Sequence, residues 1–472
     1  MRFLTQKITT ASLFLILAIS FSSNAQSTRA AERFDTLIIG GTIVTMDPTR
    51  RIIDDGAIGV RNGLIVFIGN KKQLPERIYS RQTVRADGKV IIPGLINGHT
   101  HIPMTLLRGL ADDLDLQEWL TKYIFPAEAK NVNEEFVRAG TRLGIAELIR
   151  GGTTLFCDMY YFEDAIAQES RRAGIRAVLG ETLIDFPAPD NKTFSEALKY
   201  TESFINKWKR DSLIIPAVAP HAPYTVSAEH LLLARDLSMK YKVPLVIHLA
   251  EAESETKYVM EKYNGLRPIE FLESIGFFTD KTIAAHVIQA KENELEILKR
   301  RNVGVVHNPQ SNMKLAAGVA PVPAMLRLKM RLGLGTDGAA SNNDLNLWEE
   351  MDTAAKLHKV FSRDPKAVSA EEAFSMATID GARALHLEDK TGSLEVGKYA
   401  DLVLVDISGL HQTPLFNLYS QLVYATKASD VTSVMIGGRW VMFNRRLLTL
   451  NENAIKKEAI LFKNKIRKSL SN

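Results

Sequence analysis

Between residues 91 and 387, short apolar runs alternate with stretches of helical period, and this alternation limits the possible folds more sharply than any other feature. Eight runs read as strands: 91–96, 153–159, 177–183, 213–219, 245–248, 282–286, 303–307 and 332–336. Between them lie helix-period segments such as 134–150 and 228–241. Strands of this kind, separated by helices, form parallel sheets covered on both faces. Eight units in one run predict an α/β fold of the (β/α)₈ barrel type, whose reactive groups gather at the C-terminal ends of the strands. No repeat of solenoid period accompanies them.

The two flanks have another texture. Residues 35–39, 42–46, 55–60 and 64–68 are short strand candidates separated by Gly40-Gly41 and Asn62-Gly63. The pattern returns at 400–405, 431–436 and 440–443, with Gly437-Gly438 as a turn. Both ends are expected to meet in one small β-sandwich. The predicted division is a leader at 1–25, sandwich parts at 33–90 and 391–450, the barrel at 91–390 and a C-terminal helix at 451–472. On that helix Lys456, Lys457, Lys463, Lys465, Arg467 and Lys468 read as a solvated face.

Arg2 and Lys7, an apolar stretch at 11–21 and Ser23-Asn24-Ala25 have the form of an export signal, with Gln26 beginning the mature chain. The apolar stretch is short for a bilayer span. The expectation is therefore an exported protein, periplasmic or secreted, without a stable membrane anchor after cleavage. Loss of Arg2 and Lys7 lowers the formal charge of +5 by two. The remaining balance holds no concentrated basic stripe for nucleic acid. Cys157 is the one cysteine, in an apolar run, so no internal disulfide can form and the thiol reads as a small buried hydrophobe. The expected partner is a small-molecule substrate, and further copies of the same chain stay an open alternative.

Six of the 10 histidines (His99, His101, His221, His248, His286 and His307) fall at strand ends, together with Asp337. His230, His358, His386 and His411 do not, and are given no role. A single histidine at a strand end is usually packing. Six on one rim require a shared purpose. His99 and His101 stand two apart, which in an extended segment turns both imidazoles to one side, able to grip one metal ion.

The stretches PGLINGHTH, PHAPYTVS, HLAE, AAH, HNPQSNMKLAAGVAPV and GTDGAASNNDLN resemble, in order, the motifs of the amidohydrolase superfamily. They are most similar to its methylthioadenosine/S-adenosylhomocysteine deaminase branch, with chlorohydrolases as neighbours, from about residue 35 to 445. The resemblance implies that His99, His101, His248 and Asp337 hold one divalent ion. Zinc suits the donor set, with iron or manganese as alternatives. Binuclear relatives add a lysine or carboxylate after the fourth strand, and residues 214–220 contain neither.

By the same resemblance, Glu251 carries a proton from water to a ring nitrogen, His286 orients the water, and Asp337 also accepts the water's second proton. Trp119 and Glu128 match positions that pack a nucleoside and hold its ribose hydroxyls, and His221 matches the residue at the purine edge. His307, Asn308 and Ser341 match the rim, with Ser341 counted among the substrate contacts. Relatives that bind S-adenosylhomocysteine place arginines after the third strand, where this chain has Glu181 and Thr193. Glu181 is therefore expected to face the substrate and repel a carboxylated tail. The implied activity is deamination of a purine nucleoside: adenosine, 5'-deoxyadenosine, methylthioadenosine or S-adenosylhomocysteine. The alternatives are a pterin- or guanine-type deaminase, or a triazine chlorohydrolase. A non-catalytic barrel conflicts with the complete ligand set.

Overall fold

The computed structural model describes residues 31–471, so the leader proposed for 1–25 lies outside the described residues. Eight parallel strands form the central sheet in sequence order: β1 (Leu95–Thr100), β2 (Thr153–Tyr160), β3 (Arg176–Leu183), β4 (Ile214–Pro220), β5 (Leu245–Leu249), β6 (Thr282–His286), β7 (Gly304–His307) and β8 (Arg331–Leu334). The sheet closes on itself where Asp337 N donates to His99 O at 2.9 Å and Thr336 N donates to the Asn97 side chain at 3.0 Å. Gly335 lets β8 come this near, because a Cβ there would stand 2.7 Å from His99 N.

Strands β2 and β3 are buried along their whole length on both faces. That burial accounts for the apolar residues that dominate both strands, and it also encloses Asp158, Arg176 and Glu181. Ile96, Leu155, Cys157, Val178, Ala217, Val246, Ile283 and Val306 fill the barrel interior, whereas Leu179 and Ile247 pack with the surrounding helices. Cys157 is fully buried and its thiol is pushed up by burial, as a packing residue should be.

The chain ends build two further sheets. One contains Glu32–Ile39, Gly56–Arg61, Leu64–Asn70 and Ile78–Arg85. The other joins Lys89–Pro93 antiparallel to Leu402–Asp406, with Ile91 opposite Leu404. Ile38, Ile58, Ile65, Ile91, Leu402, Leu404 and Met435 form their shared core. The expected first barrel strand is thus two strands divided at Gly94. Its earlier half belongs to this outer sheet and only the later half to the barrel.

Helix Glu452–Leu470 buries Ile455, Phe462 and Ile466 and leaves the six basic residues exposed. Phe462 meets Phe136 edge-on at 5.9 Å, and Arg142 pairs with Glu458, which fastens the helix to the barrel. Among the described residues no helix is long and apolar enough to cross a membrane.

Candidate metal centre and substrate cavity

The end of β1 carries His99 and His101, the end of β5 carries His248, and the turn after β8 carries Asp337. The Nε2 atoms of His99 and His101 stand 3.4 and 3.2 Å from Asp337 Oδ1. His248 Nε2 is 3.2 Å from His101 Nε2. The opposite ring nitrogens are already engaged, His101 Nδ1 with Met159 O at 2.6 Å and His248 Nδ1 with His221 O at 2.8 Å. Bonds to carbonyls require Nδ1 to carry the hydrogen, so each Nε2 directs a lone pair at the common point.

Several observations fit a cation there. His99 Nε2 is buried without a hydrogen-bond partner. His99 is pushed down to about 4, chiefly by burial, and His248 falls well below its usual value for the same reason. Burial opposes charge on His101 as well, yet the hydrogen bond to Asp337 lifts it to about 9. Four donors, three of them buried, that share one negative charge therefore call for positive charge between them. The ring nitrogens of His99, His248 and His286, and those of His99 and His101 with an Asp337 oxygen, lie within 4.8 Å of one another. Both groups include His99 and mark one centre among the described residues.

The backbone is strained where the chemistry gathers. His286 and Asp337 have φ of 72° and 63°, and Ala250, just before Glu251, has 50°. Non-glycine residues hold such angles only when their surroundings dictate them. For Ala250 and Glu251 the dictating group is Glu255, which accepts from Ala250 N at 3.0 Å and from Glu251 N at 2.7 Å. Glu251 and Glu255 are consequently buried while Glu253 is exposed, so the three carboxylates do not form a surface cluster. Glu251 lies 3.8 Å from His286 Nε2, and burial raises its pKa, against the opposing pull of His286. His286 Nδ1 meets Asn312 Oδ1 at 2.9 Å, which leaves Nε2 as the acceptor facing the cavity.

These groups face a cavity that is partly open to solvent at the strand-end rim of the barrel. His101, His221, His248, Glu251, His286 and Asp337 form its floor, and Trp119, Phe125, Glu128, Tyr160, Tyr161 and Thr182 contribute to its walls. The Trp119 indole N–H is buried without a protein partner. His221 meets Thr225 Oγ1 at 2.9 Å and is pushed down to about 3, by burial first and then by its histidine neighbours, so it enters the cavity neutral. Glu128 is 4% exposed and burial pushes it up to about 7, although the Tyr160 hydroxyl donates to it at 2.5 Å.

Two expected substrate contacts lie elsewhere. Glu181 is outside the cavity wall. Its neighbour Thr182 faces the interior, and the alternation of a strand turns Glu181 outward to the helices. There Glu181 accepts from Glu163 N at 3.1 Å and from the Asn191 side chain at 3.2 Å. Ser341 also lies behind the wall, where it donates to Asp337 Oδ2 at 2.9 Å. Thr193 is a helix cap, accepting from Glu196 N. His307 contacts His358 at 3.1 Å, both rings buried, and Asn308 lies 3.3 Å from His286.

Sequence reasoning passed over Tyr160, Tyr161, Thr182, Ser311 and Asn312. Tyr160 ends β2 and Tyr161 follows it, so their place on the rim was a usable signal. Ser311 and Asn312 lie inside a quoted motif, but nothing local reveals that Ser311 donates to Asp337 Oδ2 at 2.7 Å.

The amidohydrolase family model matches residues 90–441. A 5-methylthioadenosine/S-adenosylhomocysteine deaminase of Syntrophobacter fumaroxidans is 49% identical over 425 residues, covering 90% of this chain and 97% of its own. A 5'-deoxyadenosine deaminase of Methanocaldococcus jannaschii is 46% identical over 403 residues, covering 85% and 94%. The solved structure of an adenosine deaminase from Xanthomonas campestris with bound zinc superposes with a TM-score of 0.91 at 40% identity, covering 93% of this chain and 100% of that one.

Proposed function

The chain belongs to the amidohydrolase family, and from that premise we propose that it removes the exocyclic amine of an adenosine-type purine nucleoside by metal-dependent hydrolysis. The observation that carries this reading is a single cavity lined both by the histidine–aspartate centre with Glu251 and by the Tyr160-held carboxylate of Glu128. A deaminated ring and a sugar diol need those two ends.

His99, His101, His248 and Asp337 would hold the divalent ion, which when bound supplies the Lewis-acid polarisation that makes water nucleophilic near neutral pH. Three imidazoles and a carboxylate favour zinc, and the zinc in the Xanthomonas campestris relative supports that choice. One ion suffices for the donors present, since β4 offers no bridging lysine or carboxylate.

The chain's own groups manage the protons. His286 Nε2 accepts from the attacking water and aims it at the amine-bearing ring carbon. Burial keeps the Glu251 carboxyl ready to hold a proton, so it takes the water's first proton and delivers it to the adjacent ring nitrogen. Asp337 accepts the water's second proton, which goes to the exocyclic amine. The C–N bond then breaks, ammonia departs, and a carbonyl stays on the ring.

Among the described residues, no lysine or arginine lines the cavity. A carboxylated 5' tail would enter without a counter-ion, which supports adenosine, 5'-deoxyadenosine or methylthioadenosine above S-adenosylhomocysteine. Ammonia release by zinc-loaded protein, measured across nucleosides, free bases, pterins and chlorotriazines, tests the reading. The nucleosides should dominate, and turnover confined to free bases or pterins would overturn it.

We infer further that the protein is exported. The basic start, apolar 11–21 stretch and Ser23-Asn24-Ala25 support this. The mass of the native chain should correspond to a start near Gln26, and a full-length cytoplasmic product would refute export.

A further inference from the structure

Glu128 and Tyr160 both line the cavity, and the tyrosine hydroxyl meets only one oxygen of the carboxylate. The hydrogen runs to Oε1 at 2.5 Å. Among the described residues no protein group donates to Oε2, and that atom is not sealed away from the cavity. We propose that Tyr160 is a positioning residue that locks Glu128 with Oε2 turned to the ligand, and so confers preference for sugars carrying two adjacent hydroxyls. The proposal rests on the nucleoside reading of this cavity.

The chemistry requires a fixed and ionised acceptor. Two neighbouring hydroxyls can both donate to a carboxylate, whereas a protonated carboxyl turns one oxygen into a donor and loses that capacity. Burial drives Glu128 toward the protonated form, and the phenol is the largest influence opposing it. Tyr160 itself stays protonated, because burial and the neighbouring Glu128 charge raise its pKa far above the usual range. It therefore acts as a permanent donor.

The turn that presents Tyr160 is unusually well secured. Tyr160 N donates to Glu163 Oε1 at 3.0 Å, Phe162 N to Asp190 Oδ2 at 2.7 Å, and Glu163 N to Glu181 Oε2 at 3.1 Å. Three backbone donors of one four-residue turn thus end on three different carboxylates, with Phe162 at a φ of 56° between them. Glu181, absent from the cavity wall, acts on the ligand site through this turn. Packing alone would not need such an arrangement, since the Tyr160 ring already rests against Tyr161 at 4.9 Å.

Tyr160→Phe keeps the ring and removes one hydroxyl. It should be compared with wild type, Glu128→Ala and the double variant on adenosine and on 2'-deoxy- and 3'-deoxyadenosine. Loss of one charge-assisted hydrogen bond should raise KM for adenosine about tenfold or more, with kcat within about twofold. The deoxynucleosides should be nearly unaffected. The double variant should be no worse than Glu128→Ala, because the tyrosine acts through the glutamate. Where Glu128→Ala costs activity selectively on adenosine, equal losses on all three nucleosides in Tyr160→Phe, or additive losses in the double variant, would overturn the inference. Equal losses on all three in Glu128→Ala itself would bring down the nucleoside reading as well.

Discussion

Replacing Ser311 by alanine removes one of two hydroxyls that end on the same oxygen of Asp337. Ser311 Oγ donates to Oδ2 at 2.7 Å and Ser341 Oγ at 2.9 Å, and all three residues are buried. With Oδ2 occupied, Oδ1 is the oxygen left to face His99 and His101. Hydrogen bonds to a charged acceptor are worth roughly 1.5–3 kcal/mol. One such bond corresponds to at least about tenfold in an equilibrium constant. Partners that orient metal ligands typically govern affinity by about 10–100-fold, which agrees. Ser311→Ala should therefore weaken zinc binding by about tenfold or more, Ser341→Ala by a similar factor, and the double variant further. Competition with a chromophoric chelator at neutral pH reads the affinity without reference to turnover. Far-UV circular dichroism of the metal-free proteins should be unchanged. Zinc affinity within about twofold of wild type in the double variant would refute the reasoning, because Asp337 would then need neither hydroxyl to stay in place.

Glu251→Gln should retain one zinc per chain by elemental analysis and lose about 10²–10⁴-fold in kcat, the usual contribution of a positioned proton carrier. Loss of zinc would instead make Glu251 a ligand. Glu181→Arg should destabilise the fold and lower the melting temperature, because it places a cation in a buried site facing away from the cavity, and should not improve S-adenosylhomocysteine turnover. Improved turnover of that substrate would return Glu181 to the cavity wall. Burial holds Glu163 and Glu181 well above the usual carboxylate range, so the folded state binds protons that the unfolded chain releases. That contribution to stability is full below the ordinary carboxylate pKa near 4.5 and declines as pH rises toward the folded values. Urea midpoints should fall with rising pH above that range, and Glu163→Gln, which imitates the protonated acid, should flatten the fall. An unchanged slope in that variant would refute the assignment.

The sequence by itself determined the barrel and its centre. Eight runs that must be buried on both faces can only line a covered parallel sheet, and strand ends are where such a sheet exposes reactive groups. His99, His101, His248, Glu251, His286 and Asp337 were legible because each sits beside a strand end within a motif of recognisable spacing. Orientation across a strand was not legible. In β3 every residue is apolar or enclosed, so no polar alternation tells which side of Gly180-Glu181-Thr182 faces the interior, and Glu181 was placed on the wrong one. The run from Lys89 to Thr100 has the same ambiguity, and only pairing with Leu402–Asp406 divides it at Gly94. Tyr160 with Glu128, and Ser311 with Asp337, are separated by 32 and 26 residues. Contacts of that range depend on barrel closure, which brings loops from different strands to one rim and leaves no periodic trace in the chain.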